Sequence, residues 1–290
     1  MLFPFSRMRD CQKELVADVD DALVKGRHLI AHAPTGLGKT AATLAPALTH
    51  ALGSRKKIFF LTSRHTQHHI AIETLRLIQE RHQTSFITTD LIGKKWLCSH
   101  PGVDIFTTGE FQDYCKTLVT EERCTFYNAT RTKSRTLTEP AKAMLNVLQQ
   151  RPCHSEEAKQ HACSTFCTYE LLIENAKKSD VIIADYFHIF SPLRNSLLAR
   201  VGKDLGDIIL IVDEAHNLPD RVRSLMSASL NDFTIRSAQK EARQFRLSGL
   251  LSSLTGVGNV LSTLGKEKAR DGDAFVAKDD FTTALASSVG

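Results

Sequence analysis

Apolar positions along the chain alternate between a helical spacing and short continuous runs. Residues 11–25 place apolar side chains three and four positions apart, which predicts an amphipathic helix. An alanine- and leucine-rich helix is predicted after residue 38, and another helix over 65–81. Four short apolar runs predict strands at 28–33, 58–62, 181–184 and 208–212. Strands that alternate with helices indicate a parallel α/β sheet covered on both faces.

This alternation stops between residues 93 and 168. The one helical pattern predicted there covers 139–150, and polar segments and cysteines fill the rest. Six of the chain's seven cysteines lie between Cys98 and Cys167. We expect the cysteines to replace a hydrophobic core in this segment, which interrupts the sheet. Beyond residue 221 the pattern is amphipathic helix again, and 265–290 shows no strong period.

A glycine-rich loop stands between the first predicted strand and the alanine-rich helix. The segment 33–40 reads APTGLGKT, a phosphate-loop pattern with alanine in place of the usual first glycine. Its predicted nucleotide-binding residues are Thr35, Gly36, Gly38, Lys39 and Thr40. The two glycines allow backbone turns that point N–H groups at the phosphates of ATP. Lys39 is expected to reach the β and γ phosphates, and the Thr40 hydroxyl to ligate Mg²⁺. The alternative is a glycine turn that caps an ordinary helix.

Two carboxylates follow directly after the last predicted strand. The run 208–212 ends in Asp213 and Glu214, and His216 comes two positions later. Ligands of open α/β sheets bind at the carboxyl ends of the strands. Asp213 is therefore expected to hold Mg²⁺, Glu214 to activate the attacking water, and His216 to sense the γ-phosphate. The alternative is that both acids cap the following helix.

The composition of the chain is that of a folded globular protein, but it does not identify a binding partner. The chain has 290 residues with 42% hydrophobic content, which is enough for a folded core. Lys and Arg exceed Asp and Glu by 37 to 32, a balance of +5 that permits a polyanionic partner without requiring one. The apolar runs are too short to span a membrane, so we expect a cytoplasmic protein without membrane association. In that reducing compartment the cysteines are better interpreted as metal ligands, thiols or packing residues than as disulfides.

Taken together, these motifs resemble a helicase family. Segments 33–40 and 212–216 resemble motifs I and II of superfamily 2 helicases of the DEAH type. The cysteine segments are similar to the four-cysteine iron–sulfur domain of XPD-like and DinG-like DNA helicases, and 180–192 resembles the stretch that returns that family's chain to its sheet. The resemblance implies a RecA-like motor domain with ATP, Mg²⁺ and a [4Fe–4S] cluster. It also implies ATP-driven movement from 5′ to 3′ on single-stranded or forked DNA.

The resemblance leaves open which cysteines hold the cluster. Four thiolates are needed, and local context favours Cys98, Cys115, Cys124 and Cys167. The competing set combines Cys98 and Cys167 with Cys153 and Cys163. A further alternative is that the cysteines bind zinc or pack as small hydrophobic residues. Cys11, on the first predicted helix, is expected to be a core residue.

Two further residues are predicted from their place in the family's motifs. Gln12 lies upstream of the phosphate loop, where the resemblance implies an amide that recognises adenine. Arg64 follows the second predicted strand at a position that resembles motif Ia, which contacts the DNA backbone. The alternatives are a surface helix for Gln12 and a solvated loop for Arg64.

The resemblance also implies a domain organisation. We expect a first part of the motor domain at 1–92, the iron–sulfur insertion at 93–174, the second part with the DEAH box at 175–222, and the start of a helical arch domain at 223–290. The second motor domain of the family is not recognisable here, so we expect this sequence to be a portion of a helicase. The alternative function is an iron–sulfur subunit that binds DNA and uses ATP only as a conformational ligand. A nuclease or a chromatin-associated ATPase on the same core is a third hypothesis.

Overall fold

The computed structural model describes residues 1–34, 36–162, 164–269 and 272–289. These residues form four strands: β1 (Lys57–Thr62), β2 (Thr88–Leu91), β3 (Val181–Asp185) and β4 (Ile208–Val212). The helices up to the third strand are α1 (Asp10–Val24), α2 (Lys39–Ser54), α3 (His68–His82), α4 (Lys94–Leu97), α5 (Thr108–Thr120), α6 (Thr125–Thr130), α7 (Glu139–Leu148), α8 (Ser155–His161) and α9 (Thr168–Lys178). Those that follow are α10 (Phe187–Phe190), α11 (Arg194–Val201), α12 (Leu218–Leu225), α13 (Asp232–Gln244), α14 (Ser248–Lys268) and α15 (Lys278–Val289).

The strands form one parallel sheet in the order β2-β3-β1-β4. Side chains alternate between its faces, as the period of two along a strand requires. Phe59 and Leu61 of β1 pack in a core that includes α7, α8 and α9, whereas Ile58 and Phe60 pack against α1, α2 and α3. The prediction of a parallel α/β sheet covered on both faces is confirmed.

One predicted strand is absent. Residues 28–33 have no strand pairing, and Ile30 is 98% exposed. An apolar run becomes a strand only when a neighbour satisfies its backbone N–H and C=O groups. Among the residues that the structure describes, none pairs with the outer edge of β4, where Leu210 is 41% exposed. The apolar pattern was therefore misleading at 28–33.

One strand was not predicted, because its sequence is polar. β2 reads TTDL and is fully buried at the other edge of the sheet. Its Asp90 carboxylate lies 2.5 Å from the Nδ1 of His68 and 3.3 Å from the Nε2 of His154, and it accepts a hydrogen bond from the Ser155 backbone at 2.8 Å. These contacts compensate the burial of a charge. They also attach α3 and the start of α8 to β2.

The cysteine-bearing segment is more helical than predicted. Besides α7, which matches the predicted helix, it contains α4, α5, α6 and α8. Apolar residues of α7 and α8, such as Leu148 and Ala158, share a core with Leu171 and Leu172 of α9 and with the sheet. The expectation that cysteines replace the core there was therefore wrong, because aliphatic side chains of the short helices supply it.

A buried ion-pair cluster joins α6 to α9. The Arg131 guanidinium lies 2.9 Å from a Glu170 oxygen and 2.7 Å from a Glu174 oxygen, and the Arg131 side chain is only 8% exposed. Arg200 of α11 reaches the other Glu170 oxygen at 3.1 Å. Since a buried carboxylate without a partner is costly, this arginine fixes the distance between the two helices.

Residues 227–290 form a second compact unit, whereas residues 1–226 form the first. In the second unit α14 packs against α13 and α15. Ile235, Ala242 and Val260 are its buried apolar residues among those described, and Phe233 is 79% exposed. In 1–34, 36–162, 164–269 and 272–289, no helix has the length and apolar character needed to cross a membrane.

Candidate nucleotide site and cysteine cavity

The glycine-rich loop leads directly into α2. Gly36 and Gly38 have φ angles of +81° and +85°, in the left-handed region that favours glycine. A Cβ atom on Gly38 would collide with the Gln12 amide nitrogen. The positive φ favours glycine at position 38, and a larger residue there would also displace the Gln12 amide from the loop. Thr35, predicted for the same loop, lies outside the described residues.

The first helix supports this loop. Gln12 is buried, and its Nε2 donates to the Gly38 carbonyl at 3.4 Å, while its Oε1 accepts from the Arg9 backbone at 3.0 Å. The Arg9 guanidinium donates to the Gly36 carbonyl. Gln12 is thus a buried support of the loop, and the surface-helix alternative does not describe it. Cys11 beside it is exposed, so its assignment to the core was wrong.

The acidic turn meets the loop at the carboxyl end of β4. The Asp213 backbone N–H donates to the Leu61 carbonyl at 2.8 Å, which anchors the turn to β1. The Lys39 Nζ lies 3.3 Å from the Glu214 Oε1 and 3.5 Å from the Ala33 carbonyl oxygen. Lys39 and Glu214, 175 positions apart in sequence, are therefore in contact. Thr40 lies in the first turn of α2, half-buried.

The electrostatics of this turn favour a bound cation. Burial raises the pKa of Asp213, the Glu214 charge raises it further, and Lys39 offsets part of the effect. A carboxylate whose ionised form is disfavoured gains when a cation binds next to it. The Asp213 carboxylate and the Thr40 hydroxyl, the two predicted Mg²⁺ ligands, are oxygen donors of the kind that Mg²⁺ prefers. The His216 Nδ1 lies 3.4 Å from the Glu214 Oε2, and its side chain is 71% exposed.

The segment after β3 contributes a contact that sequence reasoning missed. The Tyr186 hydroxyl donates to the backbone carbonyls of Asp213 and Glu214. Arg64, predicted to bind DNA, lies just beyond β1 and is exposed. Its carbonyl accepts from the Thr62 hydroxyl at 3.0 Å, which orders the turn that presents it.

Four cysteines line one cavity within the insertion. Cys98 follows α4, Cys115 lies in α5, Cys124 precedes α6 and Cys167 precedes α9. The other lining residues are Lys94, Leu97, Ser99, His100, Phe111, Tyr114, Leu118, Val119, Phe126, Tyr127, Phe166 and Tyr169. Cys153 is absent from this lining. Its thiol donates to the His154 carbonyl at 3.4 Å instead. Cys163 lies outside the described residues.

The thiols of this cavity are poorly solvated. Burial raises the pKa of Cys98 and of Cys124, and the neighbouring Cys115 raises both further. Burial also raises the pKa of Cys167 to about 12. Crowded thiols in an apolar cavity stay protonated unless a metal centre takes them as thiolates. The donor set therefore fits a centre with four sulfur ligands.

Comparison with known proteins identifies the family. The DEAD_2 family model matches residues 60–235. The ATP-dependent DNA helicase XPD of Sulfolobus acidocaldarius is 26% identical over 250 residues, which cover 86% of this chain and 40% of the relative. The ATP-dependent DNA helicase CHL1 of Eremothecium gossypii is 28% identical over 191 residues, which cover 63% of this chain and 23% of the relative.

A solved structure supports the fold. A chain described as truncated XPD superposes with a TM-score of 0.57 at 21% sequence identity, covering 96% of this chain and 76% of that one. This chain spans 40% or less of the length of the two curated relatives. Because the family model matches more than half of the sequence, the chain belongs to the DEAD_2 family.

Proposed function

We propose that the chain is the N-terminal motor and iron–sulfur portion of an ATP-dependent DNA helicase that moves from 5′ to 3′ on single-stranded DNA. The observation that carries this proposal is the contact between Lys39 of the glycine-rich loop and Glu214 of the acidic turn, at 3.3 Å. A phosphate-binding lysine beside a carboxylate at a strand end is the arrangement that phosphoryl transfer requires. The names of the curated relatives point to the same activity.

Each residue of the site has a role in this proposal. Backbone N–H groups of Thr35, Gly36 and Gly38 cradle the phosphates, and Lys39 neutralises their charge. Thr40 and Asp213 hold Mg²⁺, which supplies further neutralisation of the phosphates when it is bound. Glu214 orients the attacking water and accepts its proton. His216 contacts the γ-phosphate side of the site, and Gln12 recognises adenine as well as supporting Gly38.

The four thiols of the cavity are proposed to hold a [4Fe–4S] cluster. Cys98, Cys115, Cys124 and Cys167 come from four different elements and face one cavity. When bound, the cluster supplies a cross-link between these elements in a segment of short helices. The surplus Cys153 has its own partner in His154, which supports the choice of these four.

The proposed partners are single-stranded or forked DNA and a second helicase domain. Arg64 is exposed at the same edge of the sheet as Asp213, because β1 and β4 are adjacent and parallel. A phosphate contact there places DNA beside the nucleotide site. In this proposal the second helicase domain completes the ATP site, and the matched 40% and 23% of the two curated relatives leave room for such a domain. We place the protein in the cytoplasm, where its thiols stay reduced.

The test is Mg²⁺-dependent ATP binding by this chain, followed by phosphate release when the remaining part of the Sulfolobus relative is added with single-stranded DNA. We expect weak binding by the chain alone and DNA-stimulated release in the mixture. Glu214→Gln should keep binding and abolish release. Glu14→Gln, an exposed acid on α1, is the matched control and should release phosphate normally.

A different result would favour the binding-module alternative. DNA binding that is the same with and without ATP, together with no phosphate release in any mixture, would mean that nucleotide is at most a conformational ligand. Mg²⁺-independent ATP binding would contradict the roles of Thr40 and Asp213.

A further inference from the structure

Tyr186 connects the end of one strand to the acidic turn of another. It follows β3, and its backbone N–H donates to the Thr62 carbonyl at the end of β1, at 3.3 Å. Since β1 lies between β3 and β4, the ring passes the end of β1 to reach the turn after β4. There the hydroxyl donates to the Asp213 carbonyl and, at 3.0 Å, to the Glu214 carbonyl. Tyr186 is fully buried, so water does not compete for this hydroxyl.

The turn that it holds has an unusual backbone. Glu214 has φ 50° and ψ 43°, a left-handed conformation that is uncommon for a residue with a side chain. Such a conformation persists only where its surroundings hold it. The Glu214 carbonyl accepts from the Asn217 backbone at 3.0 Å and from the Asn217 amide at 3.3 Å, in addition to the Tyr186 hydroxyl. The Asp213 backbone N–H ties the turn to β1, and the Tyr186 hydroxyl adds a side-chain contact between the turn and the segment after β3.

The chemistry of the Tyr186 hydroxyl is suited to holding the backbone of the acidic turn in one position. A tyrosine hydroxyl is protonated in the neutral pH range, so Tyr186 can act there as a hydrogen-bond donor. It makes no contact with Lys39 or with the glycine-rich loop among its described hydrogen bonds, so it acts on the acids alone.

We propose that Tyr186 is a positioning residue for ATP hydrolysis, whose hydroxyl fixes the backbone of Asp213 and Glu214 and thereby the direction of the Glu214 carboxylate. This inference rests on the proposed function of Glu214 as the group that orients the attacking water. The proposal assigns two separate roles within the site. The glycine-rich loop binds the nucleotide, whereas Tyr186 orients the Glu214 carboxylate that acts on the attacking water.

The test compares Tyr186→Phe with Thr89→Val in the whole chain. Thr89 is also buried in the sheet, and its hydroxyl lies 2.7 Å from that of Ser179, so its loss removes a buried hydrogen bond far from the acids. In the phosphate-release mixture, Tyr186→Phe is expected to lower kcat about tenfold or more with the KM for ATP unchanged, because a small misplacement of a catalytic group is costly. Thr89→Val should leave both values unchanged.

Amide hydrogen exchange in the nucleotide-free chain gives a readout that needs no activity. Tyr186→Phe should speed exchange of the 213–217 amides by about fivefold, whereas Thr89→Val should not, because losing one buried hydrogen bond lowers the cost of local opening. Unchanged exchange at 213–217 would overturn the inference, even if the wild type hydrolyses no ATP and the proposed function itself fails. A fall in ATP affinity as large as the fall in kcat would also overturn it, since it would indicate general damage.

Discussion

The nucleotide site and the cysteine cavity are assembled in different ways. Glu214 follows the carboxyl end of β4 in the parallel sheet, and Lys39, in the first turn of α2, lies 3.3 Å from its Oε1. The thiols of the cavity come instead from the ends and middle of short helices, and burial raises the pKa of Cys98, Cys124 and Cys167. The sheet therefore holds the first site in place without a ligand, whereas the second depends on what its sulfur atoms bind.

The largest effect is expected at the cavity. Cys167→Ser should abolish the visible absorption of a [4Fe–4S] cluster in protein purified without oxygen, because the cluster needs all four thiolates. Cys153→Ser is the matched control and should keep the absorption, since its thiol contacts the His154 carbonyl. Colourless wild-type protein that contains zinc would contradict the cluster, and loss of absorption in Cys153→Ser would favour the competing set.

The ion pairs of Arg131, which join the two cysteine-flanked helices α6 and α9, can be removed without changing a cysteine. Arg131→Ala should lower the free energy of unfolding by about 2–3 kcal/mol, because it removes the cation shared by the buried Glu170 and the half-buried Glu174, which keep Arg200 and Lys177 as partners. Chemical denaturation of the whole chain would measure this. Arg123→Ala, which removes an ion pair with Glu121 at a side chain 69% exposed, should cost about 0.5 kcal/mol or less. Equal costs for the two variants would mean that the Arg131 cluster does not hold α6 against α9.

The nucleotide site should respond independently of the cavity. Lys39→Ala is expected to lower phosphate release in the mixture about 100-fold, because the developing charge on the phosphate loses its main cation. Its visible absorption should equal that of the wild type. Lys13→Ala, at an exposed position of α1, is the control. A fall in absorption together with phosphate release would show that the two regions are not separable.

The smallest expected effect is on the pH dependence of thermal stability. Because burial raises the pKa of Asp213 above its ordinary value of 3.8, its ionised form is less favourable in the folded chain than in the unfolded chain. This destabilisation is present above the folded pKa and disappears as the pH falls below the unfolded value. Asp213→Asn should therefore raise the Tm by roughly 2 °C at pH 7 and not at pH 3. Exposed Asp18→Asn is the control, and a lowered Tm at pH 7 would contradict the expectation.

The two regions also differ in how far the sequence predicts them. Two short motifs in the sequence predict Lys39, Asp213 and Glu214, although only the two acids follow a strand, because 28–33 forms none. The set of four cluster ligands stays a prediction: spacing alone allows several sets, the cavity groups Cys98, Cys115, Cys124 and Cys167, and Cys163 of the competing set lies outside the described residues. Tyr186 was missed as a support, since a hydrogen bond from a side chain to a distant backbone leaves no periodic pattern.

The differences between the predicted and the observed fold also arise from pairing and polar contacts that the apolar pattern does not record. β2 carries Thr88, Thr89 and Asp90, and the burial of Asp90 is compensated by two histidines and the Ser155 backbone. Residues 28–33 have the composition of a strand, yet they lack a neighbour to pair with. On α1 the apolar pattern predicted that Cys11 would be buried, but in the structure Cys11 is exposed and Gln12 is buried. The Gln12 amide donates a hydrogen bond to the Gly38 carbonyl of the glycine-rich loop, and this polar contact accounts for its burial. Periodicity records apolar burial and gives no information on polar partners.

The free edge of β4 has a practical consequence for work with this chain in solution. Ile208–Val212 is an apolar run with no lysine or proline to block further pairing, and its outer backbone groups are unpaired among the residues that the structure describes. Such an edge is a template for strands of other molecules. The chain should therefore self-associate as its concentration rises. Working with dilute samples, or introducing a charged residue at the 41% exposed Leu210, should reduce this association.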